Sequence, residues 1–140
     1  MQDNKKLKVI HVEPGKRVNI IEIDDNLKAM QELVGGRIEE YMPYEDDVAI
    51  ICNEEGKMLG LPLNRGITDE NGQLQDIIAG DFFICYAPIE SEKFLSLTPN
   101  LEKKYKEKFD YPEQFFRTDE GIKAVKFDPK LAMNPKEEAR

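Results

Sequence analysis

At 140 residues, with 40% hydrophobic and 34% charged side chains, the chain has the length of one domain that holds its core without a disulfide or metal staple. Its formal charge is −8, and residues 1–100 carry 10 basic against 19 acidic side chains, which weighs against direct binding of nucleic acid. No apolar stretch is long enough to span a bilayer, and no leader-like run follows Lys5 and Lys6, so a cytoplasmic protein without a membrane role is expected.

Leu7 to Glu13 alternates Leu7, Val9 and His11 against Lys8, Ile10 and Val12, which predicts a strand. Pro14-Gly15 marks a turn, and Arg17 to Ile23 reads as the antiparallel return. Asp24 or Asp25 is expected to cap a helix starting near Asn26, with Leu27, Met30 and Val34 at helical spacing beside Leu33 and Gly35-Gly36 as its stop. Arg37 to Met42 predicts a short strand. Val48 to Cys52 is β-branched enough for a central one. Asn53-Glu54-Glu55-Gly56 then reads as a hairpin loop with positive φ at Gly56. Lys57 to Gly60 would be the returning strand, limited by Pro62.

Asn71-Gly72 predicts a tight turn, and Asp81 to Ala87 a strongly apolar strand. Thr98 and Pro99 form a helix start, after which Leu101, Tyr105 and Phe109 fall four apart on one face, suited to covering a sheet. Phe115 to Phe127 predicts a small hairpin about Gly121, and the chain from Met133 reads as a frayed tail. The expected fold is α+β: a small, mostly antiparallel sheet with one helix between strands (ββα-β) and a C-terminal helix packed on the sheet. Residues 1–110 would form a single domain with its core in 7–87, and 111–140 a partly ordered extension.

Cys52 and Cys85 each sit in an apolar run without metal-ligand spacing, as expected of buried, reduced thiols. The lone histidine, His11, reads as a satisfied strand residue. No Ser-His-Asp order, HExxH or Gly-rich phosphate loop is present. The acidic runs Glu45-Asp46-Asp47 and Asp69-Glu70 lack the alternate spacing of a calcium loop. Accordingly no catalytic residue, metal or cofactor is assigned.

Asn64 and Arg65 stand apart, because no turn or cap explains them. Arg65 carries a planar fork of donors suited to carboxylate or phosphate, and Asn64 both donates and accepts beside it. Either Arg65 pairs with Asp76 or Asp81 of the same domain, or it recognises a ligand or partner. Arg37, Asn53, Glu54 and Asp76 complete the candidate set. The expected hairpin would carry Asn64-Arg65 toward the turn preceding Val48, away from Asn53.

The runs VGGRIE, VAIICNEEGKMLGLPLNR and DIIAGDFFI, in that order, resemble the signature of a bacterial and phage family, domain of unknown function 3846. The resemblance covers Leu7 to Ala87 and continues more loosely through FLSLTPNLEKKYKEKF, departing at Gly66, where bulkier residues are usual. It implies a small protein of mobile elements and prophages and carries no activity with it. The expected function is that of a non-enzymatic accessory protein that binds another protein. The alternative is a module for a small anion or nucleotide centred on Asn64 and Arg65; Arg65→Ala would then abolish ligand binding and spare stability. A homodimer across an open sheet edge is compatible with either.

Overall fold

The computed structural model describes residues 5–132. Strands β1 (Lys6–Val12) and β2 (Asn19–Asp24) form the first hairpin, followed by helix α1 (Leu27–Val34). β3 (Ile38–Tyr41), β4 (Val48–Asn53) and β7 (Phe82–Tyr86) complete a five-stranded sheet of order β2-β1-β7-β4-β3, antiparallel throughout. The α+β architecture and the C-terminal helix follow the expectation from sequence.

Alternation along the strands divides the core into two layers. Leu7, Val9, Ala49, Ile51, Phe83 and Cys85 meet Met30 and Val34 of α1 on one face. Ile10, Val12, Ile50, Cys52, Phe82 and Ile84 face the other side, where they meet Tyr105 and Phe109 of α2 (Pro99–Phe109). Every residue of β4 is therefore buried, which is why its sequence is a continuous apolar run rather than an alternating one.

Between β4 and β7 the chain leaves the sheet. β5 (Leu63–Thr68) and β6 (Leu74–Ala79) pair only with each other, and Ile67 and Ile78 join the α2-side core. A second ribbon, β8 (Glu113–Thr118) and β9 (Gly121–Lys126), leans on the first, with the Gly66 N–H donating to Glu113 Oε1 at 2.7 Å. A short α3 (Pro129–Ala132) follows; the expected tail from Met133 lies outside the described residues.

Three local expectations are corrected. The cap of α1 is Asn26, whose side chain accepts from the Ala29 N–H at 2.8 Å, because Asp24 ends β2 and pairs with Lys6. Leu27 remains half-exposed at the first helical position. The hairpin of Asn53 to Gly60 does not form: β4 is flanked by β3 and β7 and has no free edge for a return strand. Residues 54–60 instead make compact turns, with Leu59 N–H donating to Glu55 O and Leu61 N–H to Gly56 O. Positive φ falls on Gly60, not Gly56. Gly56 is required for a different reason: a Cβ there would lie 2.6 Å from the Ala79 carbonyl oxygen.

Candidate functional site

The six candidate residues fall into two groups. Asn64 and Arg65 are fully buried on β5, at the end of the sheet where β1 finishes and β7 begins. The Asn64 amide donates to the carbonyls of Val12 at 2.9 Å and Gly80 at 2.8 Å, so it bridges those two strands. Its Oδ1 accepts from Arg65 Nη1 at 2.9 Å. The Ile51↔Phe83 pairing, followed two residues on, sets Asn53 beside Asp81. Asn64 therefore lies at the same end of the sheet as Asn53, not at the opposite end as the absent hairpin would have required.

Arg65 makes no ion pair with Asp76 or Asp81; those carboxylates engage Lys57 and His11. Its fork meets main-chain carbonyls instead: Nε donates to Phe109 at 2.9 Å, Nη2 to Lys16 at 2.6 Å, and Nη1 to Glu13 and Asn64 at 3.3 Å each. One side chain thus ties β5 to the β1–β2 turn and to the end of α2. Burial lowers the Arg65 pKa to about 10, a decrease opposed by the nearby charges of Glu113 and Asp110, so the group is a cation at neutral pH. Its donors are directed into the protein, with none turned to solvent.

Asn53, Glu54 and Asp76 line a cleft of about 200 Å³ between β3, the turns of residues 54–60 and β6, and Arg37 is tied to it only through its ion pair with Glu54. Asn53 shapes its floor, with Nδ2 donating to the Val34 carbonyl at 3.1 Å and Oδ1 accepting from the Glu55 N–H at 2.7 Å. The second bond is the turn closure that Asn53 suggests in sequence. Glu54 pairs with Arg37 at 3.1 Å and Asp76 with Lys57 at 2.6 Å, both at the surface. Glu39 and Glu55 also line the cleft and form no ion pair among the described residues. Four carboxylates thus line these walls with Lys57, and Arg37 pairs with one of them from outside. Cys52 closes the base, where burial pushes its thiol up to about 11.

The rim is apolar as well as charged. Met58, which lines the cleft, is 85% exposed, and the next residue in the turns, Leu59, is 58% exposed. β3 is an outer strand of the sheet, so its outward main-chain groups have no strand partner. Met58 and Leu59 were not singled out in sequence, since isolated exposed apolar residues are ordinary surface features. No helix among the described residues is long and apolar enough to cross a membrane. Neither the curated proteins nor the solved structures contain a match to this chain. A family-level match spans residues 7–110, and by it the chain belongs to the family described as Domain of unknown function (DUF3846).

Proposed function

We propose that the protein is a non-enzymatic binding protein, an accessory factor of a mobile element or prophage, that captures a basic segment of a partner protein at the cleft beside β3. The observation that carries this reading is the proximity of Glu39 and Glu55, which form no ion pair among the described residues, to the exposed apolar turn of Met58 and Leu59. A Lys or Arg side chain fits the carboxylates while its apolar neighbours cover the methionine and leucine. The net charge of −8 attracts such a segment from a distance. The unpartnered edge of β3 offers main-chain hydrogen bonds to an extended peptide, and Glu39 and Glu40 on that strand discourage pairing with another acidic edge. The mobile-element setting rests on family membership alone. An anion or nucleotide module centred on Asn64 and Arg65 is less well supported, because their donors are occupied inside the protein.

The test is fluorescence anisotropy with labelled peptides that mix Lys or Arg with Leu, Ile or Val, alongside an acidic peptide of equal length. Binding of the basic set alone, weakened by salt and lost in the Glu39→Lys/Glu55→Lys double variant but not in Glu120→Lys, is the expected result. Absence of binding by every basic peptide, or binding indifferent to the double variant, would contradict the reading.

A further inference from the structure

Outside the cleft, the chain's single histidine meets two carboxylates. His11, on β1, and Glu13, one residue past its end, are two apart in the extended chain and so project to the same side of the sheet, the α1 side. The Val12↔Phe82 pairing, carried one residue further, sets Asp81 opposite Glu13. One ligand atom from each of His11, Glu13 and Asp81 lies within 4.8 Å of the others, and His11 Nε2 stands 2.9 Å from Asp81 Oδ2. Carboxylates directly opposite on neighbouring strands repel, and a cation between them removes the repulsion.

We infer that His11, Glu13 and Asp81 form a binding site for one divalent transition-metal ion of the Zn²⁺ or Mn²⁺ type. Bonds of about 2.0–2.2 Å to nitrogen and oxygen place ligand atoms about 3.0–3.6 Å apart. The His11–Asp81 spacing of 2.9 Å is already near that separation, and rotation of the part-exposed Glu13 side chain closes the third side. Lys16 Nζ, 3.6 Å from Glu13 Oε2, is the competing cation and is mostly in solvent, so it yields without disturbing the fold. The imidazole nitrogen favours a transition-metal ion over Mg²⁺ or Ca²⁺, which take all-oxygen shells. Three protein ligands leave coordination positions for solvent, and Glu13 and Asp81 border an open surface depression shared with Lys16, Leu33 and Pro62.

The backbone that carries the ligands is fixed from behind. The Asn64 amide holds the carbonyls of Val12 and Gly80, the residues adjoining all three ligands, while Arg65 holds the carbonyl of Glu13 itself. The buried pair on β5 thereby sets the spacing between β1 and β7 at this point, as supporting residues do around a metal. Asn64 and Arg65 are positioning residues for the site: they hold main-chain carbonyls and touch none of the ligand side chains.

Tag-free protein, stripped with EDTA and dialysed, is titrated calorimetrically with ZnCl₂, MnCl₂ and MgCl₂, beside Glu13→Gln and Asp81→Asn. One Zn²⁺ or Mn²⁺ per chain is expected, with at least about tenfold weaker binding in each variant and Mg²⁺ far weaker than either. Because His11 is the only histidine, its imidazole NMR signals in the unsubstituted protein must move with one equivalent of Zn²⁺. Unmoved His11 signals at millimolar Zn²⁺, affinity unchanged in both variants, or Mg²⁺ binding as tightly as Zn²⁺ would each overturn the assignment. The NMR result stands even where a variant loses its fold.

Discussion

Arg65 Nε donates to the carbonyl of Phe109 at 2.9 Å, so a guanidinium buried on β5 closes the last turn of α2. The same side chain holds Lys16 and Glu13 in the β1–β2 turn. Truncation leaves several inward-facing carbonyls without donors and opens a void between three elements. Arg65→Ala should therefore cost about 3 kcal/mol or more, and Arg65→Lys about 2 kcal/mol, since an ammonium keeps the charge but not the fork. Equilibrium urea denaturation measures both. An unchanged midpoint in Arg65→Ala would mean that the side chain serves a ligand.

Acid should weaken the fold through two carboxylates. Hydrogen bonds from Arg17 hold the Asp110 carboxyl below its usual 3.8, and hydrogen bonds from Lys104 and then Tyr105 do the same for Asp46. A depressed pKa means that the unfolded chain takes up the proton first as pH falls. The stabilisation is complete above the ordinary value and is lost as pH drops through the lower folded values. Urea midpoints should thus decline below about pH 4. Asp110→Asn, weaker at neutral pH, should lose less on acidification. Parallel acid profiles for the two proteins would remove Asp110 from this role.

The thiols should be silent in the native state. Burial raises Cys52 to about 11 and Cys85 further still. Ellman's reagent at pH 8 should label neither until denaturant is added, and then both. Prompt labelling of Cys52 would show that the floor of the cleft opens in solution.

Two glycines in the turns of residues 54–60 should fail for different reasons. Gly60 has φ of +74°, so Gly60→Ala should cost about 1–2 kcal/mol and Gly60→Asn noticeably less, because asparagine tolerates that region. Gly56→Ala drives a methyl into the Ala79 carbonyl and should cost about 1–3 kcal/mol, with no substitution relieving it. Equal rescue by asparagine at both positions would contradict the close-approach account of Gly56. Thermal melts of the four variants decide between them.

What could be read from sequence divides along physical lines. Periodicity exposed β1, β2, α1, β4, β7 and α2, which pack against the rest of the chain, while the mostly exposed hairpin of β8 and β9 was marked by Gly121 at its turn. The ribbon of β5 and β6 stayed hidden, since Pro62 and the polar pair Asn64-Arg65 interrupt the pattern by which a buried strand is recognised. Arg65 read as either an ion-pair partner of Asp76 or Asp81 or a ligand contact because its true acceptors are carbonyls from β1, the following turn and the end of α2, whose convergence no local pattern encodes. The distinctiveness of the Asn53 to Gly56 segment was visible, but its cause lay in Ala79 and Val34, both distant in the chain. Asn53, Glu54 and Asp76 line one cleft, with Arg37 paired to Glu54 beside it, away from the Asn64-Arg65 pair that the sequence offered as the centre.

The reading of the cleft is tested most directly by mapping backbone amide shifts of the ¹⁵N-labelled protein while a basic, apolar-flanked peptide is added. Saturable perturbation is expected at Glu39, at Glu55 to Leu59 and at Asp76, with Asn64 and Arg65 unmoved. Perturbation centred on Asn64-Arg65 or on the β8–β9 ribbon, with the cleft silent, would contradict it.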